Sequence, residues 1–486
     1  MRKFLLIIGI LIFYCTLYPV PCTLANNIAV SNPTITGQDG QTETAKVQFD
    51  ISWENSWRNS VNYDAAWVFA KYSTDGGTTW AHATLKTSGT DPAGFSAGTG
   101  TTLQTVVPAD KKGAFLQRSS SGSGSVDTDN IQFVWDWGSD TLSEDGVTEI
   151  SSSTTARVKV FAIEMVYIPE GTFSAGSGGA ESSAFTKTMI NTANATTAPS
   201  GDPLSGGYPS GQTAPSNASW PNGYSAFYIM KYDVSQGQWV DFFNTLTADQ
   251  KTTRDITSAS GKNKDTEERR NTVSWTSGDA SAGANQYVGC NYLNWADLCA
   301  YTDWAALRPF TELEYEKAAR GTASAVANEY AWGSTGDTQV TGITDGGAAN
   351  ETATNSGNIV YGNHASVQGP MRCGFAATTE STRTQAGASY YGVMELSGNL
   401  WKRLVTIGNT DGRAFTGLHG DGTLDSSGDA NVTNWPSSST AAGSGFRGGT
   451  WSLDATYARV SDRFHAASTL TGRYHTSGAR LARTSP

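Results

Sequence analysis

Arg308-Pro309-Phe310-Thr311-Glu312-Leu313-Glu314-Tyr315-Glu316-Lys317-Ala318-Ala319-Arg320-Gly321 is the stretch on which the fold turns. Thr311 and Glu314 stand three residues apart, a hydroxyl and a carboxylate that can each satisfy a backbone N–H left free where a helix begins. Two more helices are predicted upstream. Ser235 is a good N-cap, and Trp239, Phe242, Phe243 and Leu246 follow at the spacing of one apolar helix face. Trp295, Leu298, Cys299 and Thr302 repeat that spacing. Between these two, residues 254–270 carry Lys262, Lys264, Glu267, Glu268, Arg269 and Arg270, which read as charges on a solvated loop.

Towards the N-terminus the texture changes to all-β. Residues 26–162 hold short alternating runs such as Ala45–Ile51, Ala66–Ala70, Ile131–Trp135 and Ala156–Ala162, separated by Gly-, Asp- and Ser-rich turns. Asp75-Gly76-Gly77 is a hairpin-type turn between Tyr72 and Trp80. Strands at this spacing predict a sandwich of immunoglobulin or fibronectin type. It contains no catalytic constellation and is expected to act as a spacer or docking unit.

The first 25 residues read as an export signal: Arg2 and Lys3, an apolar run from Phe4 to Tyr14, and small residues at Thr23-Leu24-Ala25. Its removal takes two cations and no acids, leaving a net charge of −13 where the whole 486-residue chain has −11. No later stretch is apolar for the ~18 residues of a membrane span, so the expected protein is exported, secreted or held at the cell surface or in the periplasm, and does not span a membrane once the signal is cleaved. The charged fraction is only 16%, and no basic stripe exists, which excludes nucleic-acid binding by counterion release. Aromatic residues make up 11% of the chain, which excludes extended disorder. After the signal only Cys290, Cys299 and Cys373 remain, too few for a disulfide framework and in no metal-binding spacing. Whether two of them pair stays open.

Six motifs occur in order after Glu164. They are Met165–Phe173, Phe227–Ser235, the second-helix pattern Trp295, Asp297, Ala300, Tyr301 and Trp304, the opening stretch with Tyr330-Ala331-Trp332-Gly333 after it, Met394–Trp401, and Phe446-Arg447-Gly448-Gly449-Thr450-Trp451 with Gly478-Ala479-Arg480 closing the chain. In this order they resemble the formylglycine-generating, sulfatase-modifying family, whose fold is a variant of the C-type lectin fold. The expected class is therefore mainly β with an α+β C-terminal part. An immunoglobulin/fibronectin-like β-sandwich over 26–162 precedes a formylglycine-generating-enzyme-like domain over 163–486.

The resemblance also implies metal sites. The family's oxidases hold copper(I) on a cysteine pair, and here Leu453 and Ala458 lie where that pair would be. Iron-dependent relatives need grouped His and carboxylate ligands, and His82, His364, His419, His465 and His475 show no grouping. A formylglycine-generating oxidase or related metal enzyme is thus disfavoured, copper is not expected, and the chain is read as a non-enzyme. For a structural calcium, Glu395 and the carbonyls of Gly398 and Leu400 remain, but Lys402 stands where the family has an acid. The expectation is a degenerate site in which the Lys402 ammonium takes the ion's place beside Glu395.

Residues 447–486 contain no Lys, Glu, Gln, Met, Ile, Asn or Cys. Apart from Trp451, every residue type present can be encoded by a codon ending in C, the footprint expected where adenines of Asn codons are randomised. Fixed-looking landmarks (Gly448, Gly449, Trp451, Arg459, Arg463, Arg473, Gly478 and Arg480) alternate with mixed residues. This resembles the variable region of proteins diversified by diversity-generating retroelements, as does the run Gly412–Gly422 before it. With a variable region at 450–477, the implied ligand-binding positions are Ser452, Leu453, Thr456, Tyr457, Phe464, His465, Ser468, Leu470, Tyr474, His475 and Thr476. The implied ligand is a protein or glycan on another cell or a phage. A fixed-specificity lectin-like adhesion module is the alternative.

Overall fold

Six longer strands frame the N-terminal part, with three two-residue strands (Ala81–His82, Gly89–Thr90 and Thr99–Gly100) beside them: β1 (Ala29–Asp39), β2 (Thr44–Arg58), β3 (Asp64–Ser73), β4 (Leu103–Val107), β5 (Ala114–Arg118) and β6 (Gly122–Trp135). They come from a computed structural model that describes residues 27–140, 154–200, 205–378 and 380–486, so the export signal at 1–25 lies outside the described residues. Along β2, Ala45, Val47, Phe49, Ile51 and Trp53 are buried and the residues between them are not, the period-two pattern of a strand covered on one face. β2 lies between β1 and β6 in a four-stranded antiparallel sheet.

β3 obeys a different rule, because all ten of its residues are buried. Ala66, Val68, Ala70 and Tyr72 meet Phe49, Ile51, Phe133 and Trp135 of the first sheet. Ala65, Trp67 and Phe69 face the other way, into the large core built with Tyr228, Trp239, Phe242 and Trp304. A strand covered on both faces needs an almost unbroken apolar run, which Ala65-Ala66-Trp67-Val68-Phe69-Ala70 supplies.

The next strand, β7 (Arg157–Ile168), pairs with β3 from Arg157↔Ser73 to Val166↔Asp64. Its last four residues also pair with β8 (Phe227–Met230), which pairs in turn with the final strand, Ala482–Thr484. All belong to one eight-stranded antiparallel sheet. The boundary expected at 162/163 falls inside β7, so one strand runs through both sequence regions. Polar contacts reinforce the join: Trp67 Nε1 donates to Ala305 O at 2.8 Å, Lys71 Nζ to Gly422 O at 2.6 Å and Asn62 Nδ2 to Tyr391 O at 2.7 Å. Buried Lys231 sits between Asp64 at 3.2 Å and Glu164 at 3.0 Å.

The helices begin where the capping residues stand. α1 (Gln236–Phe243) is capped by Ser235, and α2 (Ala248–Arg254), unforeseen from sequence, by the box Thr247/Gln250. α3 (Trp295–Trp304) is capped by Asn294/Asp297 and α4 (Glu312–Arg320) by Thr311/Glu314. The solvated loop expected at 254–270 needs correction at two positions. Lys262 is buried and donates to the carbonyls of Thr266 and Asn271, and Arg270 pairs with Glu351 and donates to Pro370 O at 2.7 Å. Carbonyls and a carboxylate inside the fold replaced the water these charges were expected to face. Three short strands complete the C-terminal part: β9 (Trp401–Val405) pairs antiparallel with β10 (Ser444–Arg447) and parallel with β11 (Ser477–Gly478). No helix among the described residues is long and apolar enough to cross a membrane.

Candidate functional site

Charge drives the local order at the C-terminus. α4 carries Glu312, Glu316 and Arg320 into the interior, all fully or almost fully buried. Arg447 at the end of β10 reaches Glu312 at 3.0 Å and Glu316 at 2.7 Å, and also donates to Val460 O at 2.6 Å. Arg463 forks onto both oxygens of Glu312 at 2.8 and 3.0 Å, donates to Ser183 O and lies 3.8 Å over the Phe185 ring. Arg320 joins Glu316 at 2.9 Å and donates to Ser461 Oγ at 2.8 Å. Burial opposes ionisation of Glu312, but the Arg463 and Arg447 guanidiniums outweigh it and hold its carboxyl below the usual range. Glu316 is likewise held low, its burial outweighed by Arg447 and Arg320.

The same device recurs along the segment. Arg473 forks onto both oxygens of Asp297 of α3 at 2.7 and 2.8 Å, Arg480 donates twice to the single oxygen Oδ1 of Asp233 at 2.9 and 3.1 Å, and Arg459 donates to Asn328 Oδ1 at 3.1 Å. The four arginines that read as fixed landmarks are thus anchors into the scaffold. Forked guanidinium–carboxylate pairs fix direction as well as distance.

Between the anchors lie the eleven candidate positions, and none of them is buried. Thr456, Phe464, Leu470 and Tyr474 are exposed; Ser452, Leu453, Tyr457, His465, Ser468, His475 and Thr476 are partly exposed. Phe464 (56%), Leu470 (47%) and Tyr474 (41%) are three of the seven exposed large apolar side chains among the described residues. Tyr457, Phe464 and His465 touch edge to face or at a tilt, with centroids 4.7–5.8 Å apart. Trp401 of β9 lies beneath them, 6.2 Å from Tyr457 and 5.4 Å from His465. A second group sets His475 against Trp451 at 5.1 Å and Tyr292 at 6.4 Å. Burial pushes the His465 and His475 imidazoles below their ordinary value, so both are neutral at neutral pH.

The scaffold grips these positions by their main chain. Trp401 N donates to Thr476 O, Trp451 Nε1 to His475 O, Tyr292 N to Tyr474 O, Phe446 N to His465 O and Gly362 N to Leu453 O, all between 2.8 and 3.0 Å. The buried Arg403 guanidinium donates to Leu470 O. A carbonyl is supplied by every residue type, so these contacts do not depend on which side chain is present. Trp401, Arg403 and the acids Asp233, Asp297, Glu312 and Glu316 were not singled out from sequence as parts of this site. The capping box did mark the start of α4 and the second-helix pattern included Asp297, but neither showed that these carboxylates would receive arginines from more than 130 residues away.

The family of the Sulfatase-modifying factor enzyme 1-like domain matches residues 151–485. The chain belongs to that family. A comparison with curated proteins finds no match.

Within the sulfatase-modifying-factor family, the positions that would hold copper(I) carry other side chains here. Leu453 and Ala458 offer no thiolate, and Cys290, Cys299 and Cys373 are free and buried elsewhere, their thiols pushed up by burial. None of the three is paired with another. The calcium set is also altered. Glu395 is buried, its Oε1 accepting from Gly374 N at 2.7 Å, and burial followed by repulsion from Asp233 pushes its carboxyl up to about 7. Lys402 Nζ donates to Gly398 O at 2.5 Å and stands 3.9 Å from Asp233, so its nearest acid is Asp233 and not the expected Glu395. Burial, partly offset by Asp233, lowers that ammonium to about 8. Leu400 is buried in an apolar cluster with Val360, Met371 and Trp451.

Proposed function

We propose that this is an exported ligand-binding protein whose C-terminal segment displays a diversifiable surface on a sulfatase-modifying-factor scaffold, the variable protein of a diversity-generating retroelement. The observation that carries the reading is the division of labour along residues 447–480. Buried arginines and main-chain carbonyls do the holding, and eleven positions whose residue types can all be encoded by codons ending in C carry side chains at the surface. Aromatic and hydroxyl side chains on a rigid frame supply contact area at low ordering cost, the economy that antibody loops use.

The ligand class is a protein or glycan on another cell or a phage. The N-terminal strands, read as a sandwich of immunoglobulin or fibronectin type, act here as a brace, because β3 and β7 form the floor on which the C-terminal part packs. An oxidase role has no support in a segment whose metal-binding positions are Leu453 and Ala458. Calcium and copper are not part of the proposal.

The test is the nucleotide sequence around the gene. The reading expects a near-identical second copy of the codons for Phe446 to Arg483, differing where that copy has adenine, near a reverse transcriptase gene. Sequences of the locus from many cells that differ at the anchors as often as at the eleven positions would refute it.

A further inference from the structure

Behind the binding surface lies a buried cluster of four charges. Asp233 follows β8, Glu395 and Lys402 flank the turn Ser397–Leu400, and Arg480 closes the C-terminal segment. Arg480 takes Asp233 Oδ1 and also donates to the carbonyls of Met230, Lys231 and Met394. Lys402 Nζ takes Gly398 O at 2.5 Å and faces Asp233 Oδ2 at 3.9 Å. Asp233 Oδ2 and Glu395 Oε2 are buried and have no hydrogen-bond partner. Two carboxylates therefore face two cations, and all four belong to the chain.

The turn that brings the Gly398 carbonyl inward runs through left-handed backbone. Gly398 and Asn399 both have left-handed backbone, at φ +81° and +65°, and Glu395 does as well, at +48°. The same turn carries the surface: Gly398 N donates to Gly448 O and Trp451 N to Asn399 O, both at 2.7 Å. Whatever cation holds the Gly398 carbonyl thus also holds the segment from which Ser452 and Leu453 emerge.

We propose that the Lys402 ammonium is a tethered replacement for the divalent ion that the family resemblance implies, so that the turn and the surface above it are ordered without calcium. The geometry supports it through charge arithmetic. With lysine at 402 these four groups sum to zero at full ionisation, with the buried Arg372 guanidinium adjoining on the Glu395 side. Glutamate at that position changes the sum by minus two, the deficit that one divalent cation refills. A tethered ammonium also needs no ion concentration and yields to no chelator, which suits a protein displayed in changing surroundings. The inference concerns folding and stands whether or not the surface is diversified.

Thermal unfolding of the full chain, with chelator and with millimolar calcium, tests it on three proteins. The unsubstituted chain should melt at the same temperature in both. Lys402→Met should melt lower and ignore calcium. Lys402→Glu should melt lower in chelator and regain several degrees, saturably, on calcium addition. Stabilisation of the unsubstituted chain by calcium overturns the proposal, and so does an unchanged melting temperature for Lys402→Met. A Lys402→Glu chain that calcium does not stabilise, folded or unfolded, overturns it too.

Discussion

Replacing Arg463 by alanine removes the side chain that pins the middle of the C-terminal segment, and the structure sets the cost. Its guanidinium makes two bonds to Glu312 and one to Ser183 O, and stacks on Phe185 at 3.8 Å. Removing one partner of a buried ion pair costs ~3–5 kcal/mol, because the other charge stays buried. Glu312 keeps Arg447 at 3.0 Å, which places the loss at the lower end, about 3 kcal/mol, with roughly 1 kcal/mol more for the lost stacking. The adjacent Phe464→Ala is the control. That ring is more than half exposed and packs against Tyr457 and His465, so about 1 kcal/mol is expected. Urea unfolding gives the two energies, and amide hydrogen exchange should show protection lost across 461–468 in the arginine variant only. Equal costs, or unchanged exchange in Arg463→Ala, would mean that the arginines do not hold the surface.

Alanine at Tyr457, His465 or Tyr474 should leave the chain folded, at a cost of about 1 kcal/mol in urea unfolding as for Phe464, and weaken capture of the ligand by about 30-fold or more, the ~2 kcal/mol typical of a hot spot. Unfolding on any of these changes would make the residue core. Deleting residues 27–140 should yield an insoluble chain, since it strips Trp67, Phe69 and Phe115 from the core shared with Tyr228 and Trp304; a soluble, cooperatively melting fragment would contradict the shared sheet. Glu164 gives a pH signature. Burial raises its carboxyl to about 7 against an ordinary 4.5, so the unfolded chain releases the proton first. Stability from this group is complete below about pH 4.5 and is lost as pH rises towards 7, by up to ~3 kcal/mol. Glu164→Gln should flatten the melting temperature over that window, and an unaltered slope would show that Glu164 ionises normally.

Some of this was legible in residue order. Capping boxes are local chemistry, and Ser235, Thr311 and Glu314 begin their helices where the spacing put them. The Thr247/Gln250 box was equally present and opens α2, but its seven residues carry no apolar face to draw attention. Strand alternation gave β2 and the start of β7, yet the sharing of one sheet was hidden. The apolar run of β3 marks a strand buried on both faces, and nothing local says whose core lies on the second face. Lys262 and Arg270 were misread for a similar reason, since their partners are carbonyls and an acid reached only after folding. The arginine landmarks were visible, whereas Asp233, Asp297, Glu312 and Glu316 became their partners through contacts more than a hundred residues apart.

A displayed library tests the central claim most directly. The codons of all eleven positions are replaced together by any two bases followed by C, and the fraction of members that resist protease on the display surface is counted. A matched library randomises Arg447, Arg459, Arg463, Arg473 and Arg480 instead. The account predicts that most members of the first library stay folded and almost none of the second do. Similar survival in the two, or collapse of the first, would contradict a scaffold that holds its surface by buried arginines and main-chain carbonyls alone.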